Sequence, residues 1–136
     1  MGAAKRVGGG AARNEEESVA PADNAHEQNV RRVASVLGLL PERSEEYLSY
    51  HQAVWPDVLA ALRAANVTNY SIYRHGDLLF SYFEYRGTDY AADMARIAED
   101  PATQRWWALM MPMQRSLRSG PDEPWWTDID EVFHLD

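Results

Sequence analysis

Every one of the fifteen aromatic side chains lies between Tyr47 and Phe133, and residues 1–29 hold no Leu, Ile or aromatic residue. The first stretch carries four of the eight glycines and is otherwise rich in Ala and polar residues. It cannot bury enough apolar area to offset the entropy of ordering it. A disordered N-terminal tail is therefore expected over residues 1–29, and one folded domain over residues 30–136. Lys5 and Arg6 are not followed by an apolar run, and Glu15, Glu16 and Glu17 are unlike a transit peptide. No export signal is expected, and the expected location is cytoplasmic.

The charge balance narrows the partners. A formal charge of −8 and a pI near 4.9 argue against a nucleic-acid binder, whose phosphate contacts need a basic face. The longest apolar run, Val33 to Leu40, is too short to span a bilayer. With no cysteine, the chain has no disulfide framework, thiol nucleophile or thiolate metal site. No His-Glu metal motif is present, so no metal site is expected, and Gly8-Gly9-Gly10 has no strand before it, so no glycine-rich phosphate loop is expected.

Patterning predicts the elements. Val30 to Leu39 reads as a strand that Pro41 ends. Ser44, followed by Glu45 and Glu46, is expected to cap a helix running toward Asn66, with a kink or break at Trp55-Pro56. Val67 to Tyr73 and Leu78 to Tyr85 form a predicted hairpin about the turn His75-Gly76-Asp77. Thr88 is expected to cap a helix through Glu99, and Asp100-Pro101 to restart one through about Leu117. Val132 to Leu135 is expected to be the last strand. The order β-α-β-β-α-β, with an extra helix before the last strand, is the ferredoxin-like α+β pattern, a four-stranded antiparallel sheet with helices on one face. Both faces of Leu78–Tyr85 carry apolar residues, so the uncovered face is expected to line a ligand chamber, a dimer interface or both.

Three strings could carry chemistry. Tyr47 and His51 are four apart on a helix and share a face just before the break at Trp55. A histidine there can act as a general acid or base, and can equally be a half-buried residue satisfied by a carbonyl. Trp106 and Trp107 are adjacent on a helix and point about 100° apart, so one can pack while the other lines a cavity. Tyr70 and Ile72 share one face of their strand, and Tyr82 and Glu84 share a face of the next. Glu84 is open between a ligand contact, an ion-pair partner and a solvated carboxylate. Trp125-Trp126 poses the packing question again, in a loop.

Taken together, Glu46-Tyr47 with His51, Val54-Trp55-Pro56, Asn69-Tyr70-Ser71-Ile72-Tyr73, Leu78-Leu79-Phe80 with Glu84, Gln104-Arg105-Trp106-Trp107 with Met110, and Glu131-Val132-Phe133-His134-Leu135 resemble the L-rhamnose mutarotase family in order and spacing across residues 30–136. The resemblance implies a dimeric α+β barrel of ferredoxin-like type. It implies an isomerase that interconverts the α and β anomers of a 6-deoxy-L-sugar without cofactor or metal. By motif position it makes His51 the catalytic acid/base and Tyr47, Tyr70, Trp106 and Trp107 the substrate-binding residues. The expected partners are a monosaccharide and a second copy of the chain. The Trp-bearing stretch from Ser116 to Asp130 looks more like the related L-fucose mutarotase branch. A dimeric α+β-barrel oxygenase and a non-catalytic sugar-binding protein are the alternatives from other classes.

Overall fold

The computed structural model describes residues 30–136, and the tail expected over residues 1–29 lies outside them. The elements run β1 (Arg31–Leu39), α1 (Ser44–His51), α2 (Pro56–Ala64), β2 (Val67–His75), β3 (Leu78–Tyr85), α3 (Tyr90–Glu99), α4 (Pro101–Met110), β4 (Gln114–Arg115) and β5 (Thr127–Ile129). This is a mixed α+β chain whose antiparallel sheet has the order β2-β3-β1-β4, with β5 also on β1. β4 and β5 share one edge of β1, pairing at Gly38–Leu39 and at Ala34–Val36 respectively. Gly38 permits the first contact, because a Cβ there would sit 2.6 Å from the Arg115 carbonyl oxygen.

Register divides the sheet by face. Ser35, Leu37 and Leu39 of β1 and Leu79, Ser81 and Tyr85 of β3 are buried, and Ile72 pairs with Ser81 on the same side. The helices cover this face. Leu39 and Leu79 pack with Tyr47, Val58, Ala102, Trp106, Met110 and Met113. A second cluster joins Ala65, Val67 and Ile97. Apolar burial of this kind supplies most of the favourable free energy of a domain this size. The other face carries Arg32, Ala34, Val36, Phe80, Tyr82 and Glu84 and has no helix over it among the described residues.

Four boundaries differ from expectation. Ser44 is the first helical residue rather than the cap, since Pro41–Arg43 forms a 3-10 turn that delivers the chain already helical. The cap of α3 is Asp89 rather than Thr88, its carboxylate accepting from the Ala92 N–H at 3.1 Å. The helix from Pro101 stops at Met110 and tightens into a 3-10 turn, Met111–Met113, instead of reaching Leu117. Pro112 explains this, because its ring clashes with the preceding turn and it lacks a donor. Finally, Val132–Leu135 is not a strand. The β1 edge is taken by Thr127–Ile129, and Val132, Phe133 and Leu135 are left at 93%, 79% and 80% exposure. At Trp55-Pro56 the expected interruption is a full break, with Pro56 as the first residue of α2.

Candidate active site

His51 is the last residue of α1, where the helix ends before the Trp55-Pro56 break. Its Nδ1 lies 2.9 Å from the Tyr47 carbonyl oxygen. A carbonyl only accepts, so Nδ1 carries the proton and the neutral ring presents its lone pair at Nε2. Burial pushes the imidazole pKa below its ordinary value, and the carbonyl bond opposes this more weakly. The ring is therefore neutral at pH 7, as a proton acceptor must be.

Aromatic rings hold it in place. The Tyr47 ring centroid is 4.2 Å away with a 31° tilt, and Trp106 approaches edge-on at 5.4 Å. Trp106 in turn meets Tyr50 at 6.0 Å and Trp55 at 5.2 Å, both edge-on. The proline break thus has a packing role: it turns the chain so that Trp55 and His51 flank the same indole.

Tyr47 is 2% exposed, and its hydroxyl oxygen accepts from Gln114 Nε2 at 3.2 Å. Burial raises the phenol pKa, and the Gln114 bond works against that. Tyr70 comes from β2. As a whole residue it is 42% exposed, yet its hydroxyl end is desolvated. Burial, with the Tyr47 phenol nearby, pushes the Tyr70 pKa up to about 12. Both phenols are therefore hydrogen-bond donors at any physiological pH.

Tyr70 owes its direction to an irregularity. Thr68 pairs with Glu84 and Ser71 with Tyr82, so β2 holds one extra residue there. Asn69 takes a left-handed φ of 49°, which Asn tolerates better than most residues. The bulge shifts the alternation by one and places Tyr70 on the helix-covered face, its ring 5.6 Å from Phe83. On the opposite face Glu84 is an ion-pair partner. It accepts from Asn69 Nδ2 at 2.7 Å, Tyr82 Oη at 2.9 Å and Arg86 Nη2 at 2.9 Å. These bonds, Asn69 first, hold its carboxyl below the ordinary range.

A surface depression of about 290 Å³ lies elsewhere, between Arg32, Tyr82, Glu131 and Phe133. None of the five residues expected to form the site lines it. Among the described residues no group of three or more His, Asp or Glu is arranged to hold a metal ion, and no helix is long and apolar enough to cross a membrane.

A model of the L-rhamnose mutarotase family matches residues 32–135, the whole stretch that carries this cluster. The chain belongs to the L-rhamnose mutarotase family. An L-rhamnose mutarotase of Listeria monocytogenes serotype 4b (strain F2365) is 38% identical over 108 residues, covering 78% of this chain and 99% of the relative. That of Bacillus subtilis (strain 168) is 30% identical over 109 residues, covering 79% and 100%. The crystal structure of an L-rhamnose mutarotase from Formosa agariphila shares the fold, with a TM-score of 0.61 and 23% identity over 78% of this chain and 99% of that one.

Within this mutarotase-family domain, Tyr47, His51 and Trp106 pack together, and Tyr70, whose ring meets Phe83, is near enough to the Tyr47 phenol to feel its charge. Trp107 does not join the ring cluster. It lies on another side of α4 and is 40% exposed, whereas Trp106 is 6% exposed and part of the core. Sequence reasoning missed Gln114, which lies 67 positions from the phenol it touches and has no motif. It also left Trp125 open. Trp125 donates its indole N–H to Gln114 Oε1 at 2.9 Å, and Trp126 packs against the core.

Proposed function

We propose that this chain is a mutarotase that interconverts the α and β anomers of L-rhamnose, with His51 as the proton-transfer residue. The observation that carries the assignment is the Nδ1–H bond from His51 to the Tyr47 carbonyl, which leaves a single basic atom, Nε2, on a ring fixed by Tyr47 and Trp106. Ring opening of an aldose moves one proton from the anomeric hydroxyl to the ring oxygen as the bond from C1 to the ring oxygen breaks. Both oxygens are attached to C1, so one nitrogen facing that carbon reaches both. Nε2 takes the hydroxyl proton and delivers it to the ring oxygen, giving the open aldehyde. Rotation about C1–C2 and the reverse transfers close the ring on the other face. Acid–base assistance of this kind is worth roughly 10²- to 10⁴-fold.

Tyr47 and Tyr70 supply donors to sugar oxygens, and Trp106 backs the histidine. Trp107, on another side of the same helix, is assigned to the sugar by motif position alone. The strand order β2-β3-β1-β4 supports a ferredoxin-like fold. The open sheet face and the exposed Val132, Phe133 and Leu135 support a homodimer closing over them. A tail over residues 1–29 and a cytoplasmic location complete the reading. The rhamnose name of each relative described above favours that sugar over L-fucose, and nothing in the site favours an oxygenase.

Saturation-transfer NMR tests this directly. One anomeric proton of L-rhamnose is irradiated and the other is watched, with the parent protein and with His51→Ala. Transfer with the parent and its near-complete loss in a folded His51→Ala protein are expected. Equal transfer in both would sink the assignment. L-fucose under the same conditions ranks the two sugars.

A further inference from the structure

We propose that Gln114 is a positioning residue of this site: it makes the Tyr47 hydroxyl an obligate donor toward the bound sugar, and Trp125 sets the direction in which Gln114 acts. The proposal rests on the reading of Tyr47 as a sugar contact.

A glutamine amide can present either end to a phenol. Trp125 removes the choice. Its indole N–H can only donate, so the atom it meets at 2.9 Å must be the amide oxygen. The amide nitrogen is then the end that faces the Tyr47 hydroxyl at 3.2 Å, and it too can only donate. The phenol oxygen therefore accepts, and its own proton is left without an acceptor among the described residues. The result is a relay with one polarity: indole N–H to amide oxygen, amide N–H to phenol oxygen, phenol O–H onward. A sugar ring oxygen can only accept, so the relay matches the atom that gains a proton on ring opening.

The relay stands on supported parts. Gln114 lies in β4 and pairs with Leu39 of β1. The Trp125 carbonyl accepts from Ser116 Oγ at 2.6 Å, and the Arg118 guanidinium sits 5.2 Å from the Trp125 ring. Arg118 also donates to the carbonyls of Pro121 and Glu123. The loop between β4 and β5 thus holds the indole that orders the amide.

The test is anomer exchange on L-rhamnose with the full chain and the variants Gln114→Leu, Gln114→Glu, Trp125→Phe and Tyr47→Phe, each checked for folding by circular dichroism. Gln114→Leu removes the amide bonds to both Tyr47 and Trp125, and loss of the neutral one to Tyr47 should raise the half-saturating sugar concentration about 2- to 12-fold. Gln114→Glu keeps the shape but, when ionised, accepts from both neighbours and draws the Tyr47 proton away from the sugar. It should be the more impaired of the two at neutral pH. As pH falls and the introduced carboxyl protonates, it again offers one donor and one acceptor, and its rate relative to the parent should recover. Taking that ratio at each pH cancels the titration of His51, and Tyr47 and Tyr70 stay protonated throughout. Trp125→Phe should impair in the same direction and add little to Gln114→Leu. A purely structural Gln114 predicts the opposite order, with Glu milder than Leu and a ratio flat with pH, and that result overturns the proposal. Parental exchange in both Gln114 variants, with Tyr47→Phe impaired, overturns it alone. Parental exchange in Tyr47→Phe overturns the reading of Tyr47 on which it rests.

Discussion

Replacing Glu84 with Ala separates how Tyr70 is aimed from how it binds. The Glu84 carboxylate accepts from Asn69, Tyr82 and Arg86 on the sheet face opposite the site. A net hydrogen bond is worth about 0.5–1.5 kcal/mol. The Arg86 arm is 46% exposed and is discounted for solvent screening, which leaves a total of about 2 kcal/mol. The left-handed Asn69 backbone stores on the order of 1 kcal/mol that this clamp holds in place. For a domain of this size a loss of about 2 kcal/mol lowers Tm by on the order of 10 °C. The assay pairs thermal unfolding with anomer exchange at low temperature, where parent and variant are both folded. Tm should fall, and the half-saturating L-rhamnose concentration should rise because Tyr70 is no longer held on the helix-covered face. A lowered Tm with an unchanged half-saturation would refute the link between clamp and aim. The pH dependence has a definite sign. Because the folded carboxyl is held below its ordinary pKa, its contribution is present above the unfolded value, about 4.3, and is lost as pH falls through the folded one. The gap between parent and variant should close in that acid range.

Other outcomes follow from the same geometry. The exchange rate should rise with pH through a midpoint below the ordinary histidine value of about 6.5, because burial favours neutral His51; a midpoint above it in a pH–rate profile contradicts the general-base role. Gly38→Ala should destabilise by about 1–3 kcal/mol in denaturant unfolding, since the new Cβ meets the Arg115 carbonyl, and should weaken the site by displacing Gln114. Trp106→Ala should cost about 3–5 kcal/mol. Trp107→Ala, at a 40% exposed position, should leave unfolding nearly unchanged, so any rise in half-saturation there reports the sugar directly.

Much of this was legible because it is local. The i, i+4 spacing of Tyr47 and His51, the break at Pro56 and the turn at Gly76 each depend on neighbours within a few residues, and the structure has all three. Alternation alone puts Tyr70 and Ile72 on one face, which the pairing of Ile72 with the buried Ser81 reproduces. The bulge behind it was not legible, since it is written in a backbone dihedral and a carboxylate 15 positions away. Gln114 was hidden for the same reason. Pro112 was visible and is sufficient to end the helix before Leu117. The end of the chain was misread because the alternation Val132–Leu135 says only that one face wants cover. It does not say that Thr127–Ile129 already occupies the strand edge.

The segment 116–126 leaves β1 at Gly38 and returns to it at Val36, so both of its ends are anchored on one strand. A hoop closed this way is tolerant of length. Each doubling of a flexible loop adds only about 0.6 kcal/mol of closure entropy, and the strands at its base need not move. Insertions and deletions can therefore accumulate here at little thermodynamic cost, while the same change in β2 would rotate every side chain that follows. In a comparison of related chains, this hoop is where differences in length should concentrate, and it is the position at which a grafted segment could be carried beside the site without refolding the sheet.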